Sequence, residues 1–281
     1  MRRVITIALF VVIFLSGLSV LLYPAISDYY NSLKHEQVVE EYFKAVAQLS
    51  QFDYTEILEA AREYNDRLRR NPSRFIMTSE QRAEYLSLLD PSGRGAIGTL
   101  EIEVINVKLP IFHGTDEGVL QVGLGHLEGS SLPVGGPGTH AVITGHRGLP
   151  SSTLLTNLDR LVIEDTFSLR ILNETLIYRV DQIIVVEPND ISALAIEDGA
   201  DYCTLVTCTP YGINTHRMLV RGHRIDKESA DKFVRPSRIP PEARVLSGAR
   251  AALLMIVPAA IVVLVVLFIR LRRVYGRGIK R

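Results

Sequence analysis

The sequence predicts a mainly β domain, preceded by a helical extension and flanked by two membrane-spanning helices. Three observations carry this reading. An uncharged apolar run follows the first three residues, and a second apolar run ends in a cluster of basic residues. Between them, from Ile97 onward, the hydrophobic period switches from helical to alternating. Hydrophobic residues make up 47% of the 281-residue chain and charged ones 22%, enough to bury a sizeable core. Lysine plus arginine equals aspartate plus glutamate at 31 each, so bulk charge gives no reason to expect a nucleic-acid partner.

The first apolar run extends from Val4 to Tyr23 behind Met1-Arg2-Arg3 and is long enough for a bilayer core of about 30 Å. A cleavable signal has a shorter apolar region and a small-residue cleavage site, which Pro24-Ala25-Ile26-Ser27 matches poorly. Residues 1–25 are therefore expected to be an uncleaved anchor. The second run, Ala251–Ile269, leads into Arg270, Arg272, Arg273, Arg277, Lys280 and Arg281. Pro258 would break a soluble helix but is tolerated in a membrane span. Residues 251–281 thus read as a span with a basic tail, and the positive-inside rule places both termini in the cytoplasm and the rest outside.

Residues 26–95 form the extension. From Ile26 to about Arg70 there is no glycine or internal proline, and Leu33, Tyr42, Val46 and Leu49 recur at near-helical spacing, as do Leu58, Ala61, Tyr64 and Leu68. Asn71-Pro72-Ser73 should break the helix. Thr78 or Ser79 could cap a short one running to Leu89, and Asp90-Pro91-Ser92-Gly93 ends the region.

Residues 96–226 form the β domain. Leu100, Ile102 and Val104 alternate with Thr99, Glu101 and Glu103, which predicts a half-buried strand over 99–105. Further strands are expected at 108–112, 140–144, 167–172, 176–186, 203–208 and 217–223, separated by turns such as the Gly/Pro-rich stretch 129–138. Many short strands with few helices point to a sandwich or barrel. Residues 227–250, with Pro236, Pro240 and Pro241, read as a linker into the second span.

Within this domain one stretch concentrates chemistry. Cys208 closes the β-branched run Leu205-Val206-Thr207, a turn-prone Thr209-Pro210-Tyr211-Gly212 follows, and a second strand opens with His216-Arg217. A hairpin would bring a guanidinium back toward the thiol. Cys203 and Cys208 share one strand five residues apart, about 16 Å at ~3.3 Å per residue, too far for a disulfide. Of the seven histidines, His146 stands between glycines in Thr144-Gly145-His146-Arg147-Gly148, at the end of an apolar run. That setting suits an imidazole exchanging protons with a substrate. No HExxH or paired Cys/His spacing suggests a metal, and no cofactor is expected.

The stretch Thr204–Arg224, TLVTCTPYGINTHRMLVRGHR, resembles the active-site hairpin of the sortases, cysteine transpeptidases of Gram-positive surfaces. Three further segments are similar to the pilus-polymerising class C: Gly123–Gly136, Thr144–Gly148 and Val185–Asp190. The resemblance covers about residues 97–224. It implies an eight-stranded sortase β-barrel with short helices, Cys208 as nucleophile, His146 as acid/base, and Arg217 holding the oxyanion. It further implies cleavage of an LPxTG-like sorting signal and transfer to a pilin lysine. Arg221, four residues along the same strand, is the competitor to Arg217, and Arg147 and Arg224 read as structural. A class C lid with an Asp-Pro-aromatic motif has no match between Asn71 and Gly95. Phe75 in Asn71-Pro72-Ser73-Arg74-Phe75 is a displaced candidate for its aromatic anchor. A housekeeping sortase would share the three residues but normally lacks the second span. A non-enzymatic membrane-tethered scaffold would not need them in register.

Overall fold

A computed structural model describes residues 2–231 together with Ala260. The second expected span and most of the 227–250 linker lie outside the described residues. Eight strands close a barrel in the order β1-β2-β3-β4-β7-β8-β6-β5. They are β1 (Ala96–Ile102), β2 (Val107–His113), β3 (Leu124–His126), β4 (Thr139–Thr144), β5 (Thr166–Ile171), β6 (Glu174–Val186), β7 (Asp201–Thr209) and β8 (His216–Ile225). Closure leaves no unpaired sheet edge. Pairing is antiparallel except for β2 with β3 and β4 with β7.

Side chains alternate across each strand, so Ala141, Ile143, Cys203, Leu205 and Val220 enter the main core while Val142, Val206 and Leu219 take the opposite face. Cys203 is therefore fully buried and Cys208 only partly, both as free thiols. Burial pushes the Cys203 thiol well above its ordinary pKa, which keeps it protonated and inert.

Helix α1 runs from Arg2 to Ala47 through Pro24, and its apolar part is long enough to cross a membrane, with Phe10, Val12 and Val20 exposed. The helical reading of 26–70 needs one correction: the chain turns after Ala47 and restarts as α2 (Gln51–Arg69). Ser50 caps this restart, its hydroxyl accepting from the Asp53 amide while the Asp53 carboxylate accepts from the Ser50 amide. Thr78 and Gln81 form the same reciprocal cap on α3 (Ser79–Ser87). Asp90 makes the turn into β1, accepting from the Arg94 and Gly95 amides.

Three buried polar side chains dock this extension onto the barrel. The Tyr42 hydroxyl donates to the Ile97 carbonyl and accepts from the Leu172 amide, at 3.0 and 2.8 Å. The Asn65 amide donates to the Leu132 carbonyl and accepts from the Leu132 amide, at 3.0 and 2.7 Å. Tyr85 reaches His126 Nδ1 at 2.9 Å. A second correction concerns β1. Thr99, expected outward by alternation, is fully buried, and β1 ends at Ile102, with Glu103–Ile105 forming a 3-10 turn. In the linker segment, Lys227–Asp231 is a short helix, α5, with Asp226 accepting from the Ser229 amide.

The docking polar groups also set a pH dependence. His126 donates from Nε2 to the Ser131 carbonyl, so its Nδ1 accepts from Tyr85 and the ring is a single neutral tautomer. Burial, helped by the neighbouring His113, pushes its pKa down to about 4; burial also lowers those of His113 and His140. Below the ordinary histidine value of about 6.5, the unfolded chain binds protons that the fold refuses. The stability from these rings is complete above that pH and is lost as pH falls toward their folded values. Asp201, raised by burial, titrates in the opposite sense. Urea midpoints of the full chain in detergent should therefore decline between pH 6.5 and 4. His126→Gln should flatten the decline by on the order of 3 kcal/mol; an unchanged slope would contradict this reading.

Candidate active site

Strand β7 carries Cys208 and lies between β4 and β8. On the β8 side, the antiparallel register sets Cys208 directly opposite Arg217. On the β4 side, the parallel register pairs Thr144 with Val206, so two further residues along each strand bring His146 alongside Cys208. The three expected site residues thus converge on one strand end, with the thiol in the middle. The pairing continues past the end of β4: the Gly145 amide donates to the Val206 carbonyl at 3.1 Å, and the Thr207 hydroxyl donates to the Gly145 carbonyl at 2.8 Å.

His146 is about a quarter exposed, and its Nε2 is buried without a hydrogen-bond partner. The Glu117 carboxylate of α4 (Glu117–Val122) stands 3.8 Å from that nitrogen. Sequence reasoning did not single out Glu117, because an acid in the first turn of a short helix is an ordinary capping preference.

The two arginines of β8 separate cleanly. Arg217 Nη1 donates to the Asn214 and His216 carbonyls at 3.3 and 3.1 Å, and among the described residues it forms no ion pair. Arg221 is bidentate to Asp181 at 3.0 and 3.2 Å, approaches Glu197, and stacks on Tyr202. Its donors are committed, and its register partner is Thr204 rather than the cysteine. Arg217 is thus the β8 arginine that stands opposite Cys208 with no ion-pair partner among the described residues.

Three other histidines, His113, His126 and His140, serve the fold. His140 donates from Nδ1 to the Ala195 carbonyl and accepts at Nε2 from Thr204, which anchors the β6–β7 connection. His113 and His126 lie under the extension around Tyr85. Among the described residues, no group of His, Cys, Asp and Glu side chains could hold a metal ion.

Beyond Cys208, the same outer face continues as an apolar floor of Val142, Leu194 and Leu219, with Val206, Ile184 and Val186 against it. Phe75 packs into this floor. Its segment rests on Gly129, where a Cβ would come within 2.6 Å of the Arg74 carbonyl and 2.7 Å of the Phe75 ring. Arg74 donates to the Leu194 carbonyl at 2.7 Å and lies over the Phe75 ring.

A thiol on a strand end, with an imidazole on one flank and a guanidinium on the other, supplies the kinds of group that cysteine acyl transfer requires. Comparison with known proteins gives the family. The sortase domain model matches residues 100–225. Sortase C1 from Streptococcus agalactiae is 49% identical, with a TM-score of 0.66 over 68% of this chain and 99% of that one. Streptococcus pneumoniae sortase C, described with pilin substrate specificity, is 44% identical, with a TM-score of 0.61 over 68% of this chain and 97% of that one. A Clostridium perfringens sortase C solved with the C-terminal cell wall sorting motif is 38% identical, with a TM-score of 0.60 over 68% of this chain and 98% of that one. This chain belongs to the sortase family, in its class C branch, and is a cysteine transpeptidase.

Proposed function

We propose that this transpeptidase cleaves an LPxTG-like sorting signal between Thr and Gly and joins the new acyl end to a pilin lysine, polymerising pili outside the cell membrane. The observation that carries the reading is the strand order β4-β7-β8, which sets Cys208 between His146 and Arg217. The Cys208 thiolate adds to the Thr–Gly carbonyl, and Arg217 holds the oxyanion. His146 protonates the glycine amine as the C–N bond breaks, leaving a thioester on Cys208. The lysine amine then attacks that thioester, losing a proton to His146, and expels the thiolate as the isopeptide bond forms. The class C relatives, one solved with a sorting motif, support this substrate. The apolar part of α1 supports membrane attachment.

The reading is tested with the full chain in detergent and an LPxTG-tailed pilin. Covalent ladders are expected, and they should vanish when the pilin lysines are replaced by arginine. Transfer to peptidoglycan-stem amines without ladders would instead indicate a housekeeping sortase.

We read the 71–78 segment as a divergent cover in which Phe75 fills part of the groove. Partial burial of a phenylalanine contributes about 1–2 kcal/mol, so Phe75→Ala should speed alkylation of Cys208 by a small thiol reagent about tenfold. An unchanged rate would leave the segment no shielding role.

A further inference from the structure

Arg147 follows His146 directly, yet the reaction as derived gives it no part. Its side chain is only 9% exposed, unusual for a guanidinium, and it links three elements. One nitrogen pairs with the Asp159 carboxylate, and another donates to the Thr209 hydroxyl at 3.4 Å. The guanidinium also lies 5.8 Å from the centre of the Tyr211 ring. Thr209 is the residue after Cys208, and Tyr211 belongs to the turn that follows it. The same ring rests on Gly148, whose φ of +77° shapes the His146 loop; a Cβ there would meet Tyr211 atoms at 3.1–3.5 Å. On the other side of His146, Gly145 is already bonded to Val206 and Thr207 of β7. The histidine is therefore held from both sides to the strand that carries the cysteine.

We propose that Arg147, oriented by Asp159, is a positioning residue that clamps the His146 loop against Thr209 and Tyr211 and so fixes the distance between imidazole and thiol. The inference rests on the transpeptidase reading of His146 and Cys208. Proton transfer requires hydrogen-bond reach, and a displacement of about 1 Å can cost on the order of 100-fold in rate. Loss of the clamp therefore acts on turnover more than on substrate binding.

The experiment uses the full chain in detergent, with Arg147→Lys and Asp159→Asn; the latter keeps its shape and removes the charge that orients Arg147. Two readouts are taken: kcat and KM for an LPxTG peptide, and the pH profile of Cys208 alkylation, followed by peptide mass and compared with His146→Ala. The expected result is a fall in kcat of about tenfold or more with KM nearly unchanged, and an alkylation profile displaced toward that of His146→Ala. A kcat within twofold of wild type in both variants, or an alkylation profile that stays on the wild-type curve, would overturn the clamp. If wild type itself cleaves no peptide, the substrate reading fails, and the alkylation profiles still decide whether Arg147 couples His146 to Cys208.

Discussion

Cys208→Ala should abolish the proposed sorting-signal cleavage and pilin ladders, with an expected loss of at least about 10³-fold, because no other described group is placed to form the thioester. The variant should remain folded. Cys208 is only partly buried and lies on the face away from the main core, so replacing the thiol leaves no interior cavity. Cys203 cannot substitute, since it is buried within the barrel and held protonated. The check is a ladder assay alongside thermal unfolding of the same preparation. Surviving ladders, or a collapse of the unfolding temperature equal to the activity loss, would contradict the assignment.

The two arginines of β8 give the second large effect, and they should differ in kind. Arg217→Ala removes the guanidinium opposite Cys208; if it is the oxyanion donor proposed above, kcat should fall by on the order of 10²–10³. Arg217→Lys should recover only part of this, because an ammonium lacks the planar fork. Arg221→Ala instead leaves Asp181 without its bidentate partner and should cost about 1–3 kcal/mol of stability. Its effect on kcat should be small in protein that remains folded. Steady-state kinetics and urea midpoints on both variants separate the roles; the reverse pattern would make Arg221 the oxyanion group.

Much of this was legible in the sequence. Seven of the eight strands announce themselves through alternation or β-branched runs. β3 does not, because Leu124-Gly125-His126 is too short to show a period and has glycine at its centre. The hairpin that sets Arg217 opposite Cys208 follows from the turn residues between two strand-like runs. The proximity of His146 could not be read that way, because it depends on a parallel pairing of β4 with β7 across nearly sixty residues of chain. Strand pairing over such separations leaves no local signal. The docking roles of Tyr42, Asn65 and Tyr85 were hidden for the same reason: each polar group is partnered by a distant segment. The turn at Ser50 was readable as a capping box, but the surrounding helical spacing masked it.

The central claim is that Cys208 becomes acylated by the sorting signal. Intact-mass measurement of the full chain, quenched in acid after mixing with an LPxTG peptide, tests it most directly. The expected adduct equals the peptide through its threonine, maps to Cys208 and is released by hydroxylamine. Turnover of the peptide with no adduct on Cys208, or with the acyl group on another residue, would contradict the account.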